Sequence, residues 1–366
     1  MPRPARVLIV DDSALVREAL SEIIAASPNL SVMGTASDPL HAARLIRDEL
    51  PDVITLDIEM PRMDGITFLR RLMAQRPMPV VVCSSLVGDG SATLDAALEA
   101  GAVDIIAKPQ LGQRRFFEES AIRIQDAVLA AAQARTEHLG AARTMHGRHE
   151  KVLELVGVPA ASRTASASAM LETTDRVVAI GASTGGTEAL RVVLEALPAD
   201  APPLLIVQHM PAHFTGAFAQ RLDRLARMHV REAADGDRAL RGTALIAPGN
   251  RHMMAVRSGA TYRVQLGDGD LVNRHRPSAD VMFRSVARHA GANAVGIIMT
   301  GMGSDGADGL LNMREAGARC FGQNEQSCVV YGMPAAAMRA GAVEAELTPE
   351  GIAEAILRAG NAAAHR

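Results

Sequence analysis

The chain has 366 residues, 48% hydrophobic and 22% charged, a balance that excludes wholesale disorder and leaves material for a buried core in each of roughly two domains. A net charge of −3 supplies no overall basic field for nucleic acid or anionic lipid, and 2% aromatic residues with no Trp argue against a base-stacking platform. Cys83, Cys320 and Cys328 form no CxxC pair, which points to a reducing compartment and away from disulfides or a thiolate zinc site.

The first apolar run, residues 7–10, stops at Asp11-Asp12 and is too short for a signal-peptide core. No apolar run approaches the roughly 18 residues of a membrane span, so a cytoplasmic protein without direct membrane insertion is expected. Further short runs follow at 30–34, 53–56, 80–83 and 103–107, separated by amphipathic stretches such as Val16, Leu20, Ile23 and Ile24. Continuous apolar strands alternating with helices predict a parallel sheet covered on both faces, hence one doubly wound α/β domain over 5–125. A last helix is predicted over about 111–135. Residues 126–174 are assigned to a linker, because apolar periodicity gives way to Ala, Ser, Thr, Arg and His.

From residue 175 the alternation resumes, with runs at 177–180, 204–207, 244–246, 253–256 and 295–300, predicting a second, mostly parallel α/β domain over 175–360. Helices are expected after Gly185-Gly186 and over 213–227, 279–290 and 305–316.

In the first half Asp11 and Asp12 follow the first strand, Asp57 ends the third, Ser84 follows the fourth and Lys108 follows the fifth. All these positions lie at the carboxyl edge of a parallel sheet, where the ligand crevice forms. Three carboxylates meeting there require a cation, and all-oxygen ligation suits Mg²⁺. A metal-bound carboxylate can accept a phosphoryl group that a lysine and a hydroxyl then hold. The motifs Val10-Asp11-Asp12-Ser13, Asp57-Ile58-Glu59-Met60-Pro61, Cys83-Ser84-Ser85 and Ala107-Lys108-Pro109 resemble the flavodoxin-like receiver domain of two-component response regulators. The resemblance implies phosphorylation of Asp57 by a histidine kinase. It implies Mg²⁺ held by Asp11, Asp12, Asp57 and the backbone of Glu59, with Ser84 as switch hydroxyl and Lys108 on the phosphate. Ile105 stands where many receivers carry an aromatic residue.

In the second half the segment from Val177 to Gly186 turns from strand to helix. Gly181-Ser183-Gly185 fits a GxSxG serine elbow, whereas a GxGxxG dinucleotide fingerprint would need Gly at 183. His209 directly follows the strand over 204–208, with His213, His252 and His275 as rival bases. Asp305 lies in the glycine-dense loop after the strand over 295–300, either orienting an imidazole or capping a helix. Gln208-His209-Met210-Pro211, Asn273-Arg274-His275-Arg276-Pro277-Ser278 and Tyr331-Gly332-Met333-Pro334, with residues 180–186 and 300–306, are similar to the catalytic domain of CheB-type protein-glutamate methylesterases of bacterial chemotaxis. The resemblance implies Ser183 as nucleophile, His209 as base and Asp305 as orienting acid. It further implies an oxyanion donor at the Met302 amide, support from Thr184 and no cofactor in this half. The implied activity is demethylation of chemoreceptor glutamate methyl esters and deamidation of selected receptor glutamines, switched on by a CheA-type kinase. The competing readings are a non-catalytic array adaptor, a transcriptional regulator and a nucleotide-dependent oxidoreductase. Too much βα alternation and no basic recognition helix disfavour the regulator.

Overall fold

The computed structural model describes residues 3–61, 63–85, 90–109, 114–134 and 176–361. Of the linker assigned to 126–174, residues 135–174 lie outside the described residues, whereas 126–132 are the last turns of a helix that begins at Arg114.

The N-terminal sheet consists of β1 (Ala5–Val10), β2 (Leu30–Ala36), β3 (Val53–Asp57), β4 (Val80–Ser84) and β5 (Asp104–Ala107), in the order β2-β1-β3-β4-β5 and parallel throughout. Helices α1 (Ala14–Ala25), α2 (Pro39–Asp48), α3 (Gly65–Gln75), α4 (Gly90–Ala100) and α5 (Arg114–Ala132) connect and cover it. Strand alternation divides the core into two faces. Val7 and Ile9 pack with Leu20, Ile24, Ile124 and Val128 under α1 and α5. Leu8 and Val10 pack with Ala42, Phe68, Leu69 and Leu94 under α2, α3 and α4. Helix starts are set by side-chain caps: Ser13, Asp38 and Asp64 each accept a backbone N–H of the first turn.

The C-terminal domain contains β6 (Val177–Ala182), β7 (Leu204–Gln208), β8 (His229–Glu232), β9 (Arg238–Ala239), β10 (Thr243–Ile246), β11 (His252–Ser258), β12 (Thr261–Gly267), β13 (Ala294–Ile298), β14 (Arg319–Gln323) and β15 (Ala345–Leu347). Its helices are α6 (Gly186–Ala196), α7 (Ala212–Leu225), α8 (Ala279–Ala290), α9 (Ala307–Glu315), α10 (Met333–Arg339) and α11 (Pro349–Asn361). Seven strands form one parallel sheet ordered β15-β14-β13-β6-β7-β10-β8. Helices α6, α7 and α11 cover one face through Leu190, Leu194, Phe218 and Ile356, and α8, α9 and α10 cover the other through Phe283, Leu310 and Met333. The run expected over 253–256 belongs to a separate antiparallel sheet, β11-β12-β9, rather than to the parallel one. The order reverses at β6, which lies between β7 and β13, so the crevice opens at the carboxyl ends of these three strands.

The two domains touch along two seams. Helix α4 packs on α7, where Arg221 Nη1 lies 3.2 Å from Asp95 Oδ1 and Arg224 also pairs with Asp95. The second seam runs over the crevice itself.

Candidate active site

Ser183 stands one residue beyond β6, and its backbone is fixed on three sides. Its N–H donates to Thr300 O at 2.9 Å, and its carbonyl accepts from Gly186 N at 2.7 Å and from Gln208 Nε2 at 2.9 Å. Gly185 must be glycine, because its φ is +78° and a Cβ there would sit 2.5 Å from Val329 Cβ. Gly301 permits the close approach of the loop after β13, since a Cβ would fall 2.6 Å from Ser183 Cβ.

His209 follows β7 and is held by its own N–H, which donates to Ala182 O at 3.0 Å. Its Nε2 lies 2.9 Å from Asp305 Oδ2, and its buried Nδ1 has no hydrogen-bond partner among the described residues. With Nε2 engaged by a carboxylate, the lone pair falls on Nδ1, the nitrogen left for a proton from a hydroxyl. Ser183, Thr184, His209, Met302 and Asp305 all line one cavity of ≈ 340 Å³.

Asp305 is 1% exposed and does not cap the helix that follows it; Gly306 holds that position. It instead accepts from Ala279 N at 2.6 Å at the start of α8, from Ser278 Oγ at 2.6 Å and from Asn273 Nδ2 at 3.0 Å, besides His209. Burial works to raise this carboxyl, but the hydrogen bond and charge of His209, with Ser278 and Asn273, hold it well below the usual range.

Three groups complete the site: His275, which the sequence offered only as a rival base, Asn273 of the motif over 273–278, and Asp104, to which the sequence assigned no role. The ring of His275 stacks on His209 with centroids 3.8 Å apart and planes 10° from parallel. Burial and the adjacent His209 push His275 down to about 3, so it stays neutral against the His209 ring. Asn273 Nδ2 bridges Asp305 and the buried Asp280, donating to Asp280 Oδ2 at 2.6 Å. The motif 273–278 is visible in the sequence, but the stacking of His275 and the carboxylate bridge of Asn273 arise only from tertiary contact.

The third group is Asp104 of β5, which accepts from Thr184 Oγ1 at 3.0 Å and brings the N-terminal domain onto the crevice. Burial pushes its carboxyl up to about 6, against hydrogen bonds from Ile105 and Thr184 and the charge of His209. A carboxyl raised in the closed arrangement binds its proton more tightly there than when released to water. Closure therefore gains as pH falls from about 6 toward the free value of 3.8, and that gain is absent above 6. Small-angle scattering of the unphosphorylated protein is expected to show a more compact particle at pH 5 than at pH 7.5, and Asp104→Asn to abolish the difference.

At the other carboxyl edge, Asp11, Asp12 and Asp57 place carboxylate oxygens within 4.8 Å of one another. Lys108 Nζ lies 2.8 Å from Asp57 Oδ2 and 3.2 Å from Asp11 Oδ2. Burial and the Asp57 charge raise the Asp11 carboxyl, against Lys108. Glu59 N donates to Asp57 Oδ1 at 3.0 Å, the Glu59 side chain meets Ser85 Oγ, and Ser84 Oγ donates to Ser85 O at 3.1 Å.

A five-stranded parallel domain with an acidic cluster and lysine, clasped to an α/β domain whose Ser183, His209 and Asp305 line one cavity at a switch point, defines a response regulator with an α/β output domain. The family model for CheB methylesterase matches residues 178–356, and that for the response regulator receiver domain matches residues 7–118. The chain belongs to the CheB methylesterase family. It is 59% identical over 366 residues, 99% of this chain and 100% of the relative, to protein-glutamate methylesterase/protein-glutamine glutaminase 2 of Rhodospirillum rubrum. A relative named protein-glutamate methylesterase/protein-glutamine glutaminase 3, from Geobacter metallireducens, is 56% identical over 357 residues, covering 96% of this chain and 98% of that one. The crystal structure of the Thermotoga maritima CheB methylesterase catalytic domain matches with a TM-score of 0.50 and 32% identity, over 50% of this chain and 98% of that chain. Among the described residues no helix is long and apolar enough to cross a membrane.

Proposed function

We propose that the chain is a phosphorylation-activated serine hydrolase that removes methyl groups from glutamyl γ-esters of chemoreceptors and deamidates selected receptor glutamines. The carrying observation is the Nε2 contact of His209 with Asp305 inside the cavity that Ser183 also lines. His209 Nδ1 takes the Ser183 proton as Oγ attacks the ester carbonyl, and Asp305 stabilises the imidazolium that results. The tetrahedral oxyanion is held by backbone donors, with the Met302 amide in that role; one such donor is worth about 10²–10³ in rate. Collapse expels methanol, protonated by His209. Water, deprotonated by the same imidazole, then cleaves the acyl-enzyme to free glutamate. A glutamine side chain passes through the same steps with ammonia as leaving group. Thr184 supports the crevice wall, and its hydroxyl is engaged by Asp104 in the closed form.

The receiver supplies the switch. Two buried carboxylates and one exposed carboxylate within 4.8 Å suit a small hard cation, and Asp11, Asp12, Asp57 and the backbone of Glu59 would hold Mg²⁺. When bound, that ion neutralises the phosphoryl oxygens. Asp57 accepts the group from a CheA-type histidine kinase, and Lys108 and Ser84 contact it afterwards. A phosphoryl group at Asp57 competes for Lys108 and alters the end of β4 and β5, the strand that carries Asp104.

Methanol release from methylated receptor, with and without a small phosphodonor such as acetyl phosphate, tests the whole reading. The native protein is expected to respond severalfold or more, and Asp57→Asn to show the low rate in both conditions. Equal rates for the native protein with and without donor would reject the switch, and no methanol at all would reject the esterase.

A further inference from the structure

The crevice is also crossed by two ion pairs that the chemistry at Ser183 does not use. Arg274 Nη2 lies 3.2 Å from Asp126 Oδ1, and Arg276 Nη2 lies 3.3 Å from Glu119 Oε2. Both carboxylates belong to the receiver helix α5, and both arginines flank His275, whose ring stacks on His209. All four side chains lie at the covered crevice; Asp126, Arg274 and Arg276 line the same cavity as Ser183.

The arginines are held in place by the catalytic domain itself. Residues Val272 and His275 form a bridge, each N–H bonded to the other's carbonyl at 3.1 and 2.9 Å. Asn273 and Arg274 between them have φ of +50° and +70°, the left-handed pair that a primed hairpin turn requires. Asn273 fastens this turn to Asp305, so Arg274 is registered against the triad. Arg276 is anchored by Nη1 donating to Gly269 O at 2.8 Å, while Nη2 remains for an external carboxylate.

Glu119 and Asp126 are seven residues apart on one helix, two turns along the same face and separated by about 10 Å of helical rise. We propose that Arg274 and Arg276 form a recognition site for an acidic helix of the substrate protein, and that α5 occupies it as a substrate mimic in the closed state. The proposal rests on the esterase reading and names the chemistry of its substrate: a helix presenting carboxylates about two turns apart beside the ester to be cleaved. The receiver thus inhibits both by covering Ser183 and by neutralising the charges that would bind the substrate. Release of the receiver exposes both together.

The test uses the full chain with acetyl phosphate and two synthetic helical peptides. One carries a single glutamyl γ-methyl ester among glutamates spaced seven residues apart; in the other those glutamates are alanine. The native protein is expected to prefer the acidic peptide by about tenfold in kcat/KM, the worth of one charge-assisted contact. The double variant Arg274→Asn/Arg276→Gln loses the preference, and Arg274→Lys/Arg276→Lys retains part of it. The receiver variant Glu119→Gln/Asp126→Asn keeps the preference. Without phosphodonor, the neutral-pair variants on either side of the interface hydrolyse p-nitrophenyl acetate severalfold faster than the native protein, because closure is weakened. The catalytic-side variant therefore gains on the small neutral ester while losing selectivity for the acidic peptide, a combination that a purely interdomain ion pair would not produce. Should the arginine variants fold poorly, the native preference must still shrink as salt rises from 0.02 to 0.5 M. An equal rate on both peptides overturns the proposal while leaving the esterase intact, whereas release of methanol from neither removes the esterase reading and the proposal with it.

Discussion

Ser183→Ala is expected to lower methanol release by about 10⁴-fold or more, with the thermal unfolding midpoint nearly unchanged. The backbone at 183 is fixed by Thr300 O, Gly186 N and Gln208 Nε2, none of which contacts the hydroxyl. Alanine keeps all three bonds and removes only Oγ, so the loss falls on the chemical step. Residual hydrolysis would report the binding and oxyanion contributions that survive without a nucleophile. Assay by gas chromatography of methanol, with a melting curve on the same sample, separates the two quantities. A variant within tenfold of native would mean that another group attacks the ester.

Asp305→Asn is expected to cost about 10³–10⁴-fold in kcat and, unlike the serine change, to destabilise the domain. Four donors point at the two carboxylate oxygens: His209 Nε2, Ala279 N, Ser278 Oγ and Asn273 Nδ2. An amide must turn its NH₂ toward some of them, so whichever way it lies, donors face donors. If the NH₂ faces the imidazole, Nε2 must become the acceptor and the proton moves to Nδ1, the nitrogen that should take the serine proton. Circular dichroism melting and kcat on the methylated substrate check both effects. Because the carboxyl is held below the ordinary value of 3.8, its contribution to stability is complete above that value and is lost only as pH falls further. The native protein should accordingly show no weakening of this site across pH 5–8.

The positions at strand ends were legible because a parallel sheet sends every chemically useful side chain to one edge. Asp11, Asp57, Ser183 and His209 each stand one to three residues beyond a short apolar run, and such runs are visible in the sequence. Of the antiparallel β11-β12-β9 sheet only β11 was legible in that way. In β12 the buried residues Tyr262, Val264 and Leu266 alternate with exposed ones, giving period two rather than a continuous run. Strand β14 opens on the charged Arg319, and β15 spans three residues, so neither carries a local apolar signature. The stacking of His275 on His209 and the Asp104–Thr184 bond join residues far apart in the chain, and nothing local in either partner encodes them. Asp104 in particular reads as an ordinary first residue of a strand until the second domain is placed against it.

The position of Asp104 bears on how freely such proteins can be recombined. It opens a four-residue strand that leads directly to Lys108, so the residue that accepts from Thr184 and the residue that pairs with Asp57 share one short piece of backbone. A foreign receiver grafted in its place would bring the phosphorylation chemistry, since that depends only on residues of its own sheet. Without a carboxylate at this point, and without acids on its last helix to meet Arg274 and Arg276, it would lack the bonds that hold the receiver over the crevice. Interchangeability of signalling parts ends here at a handful of side chains.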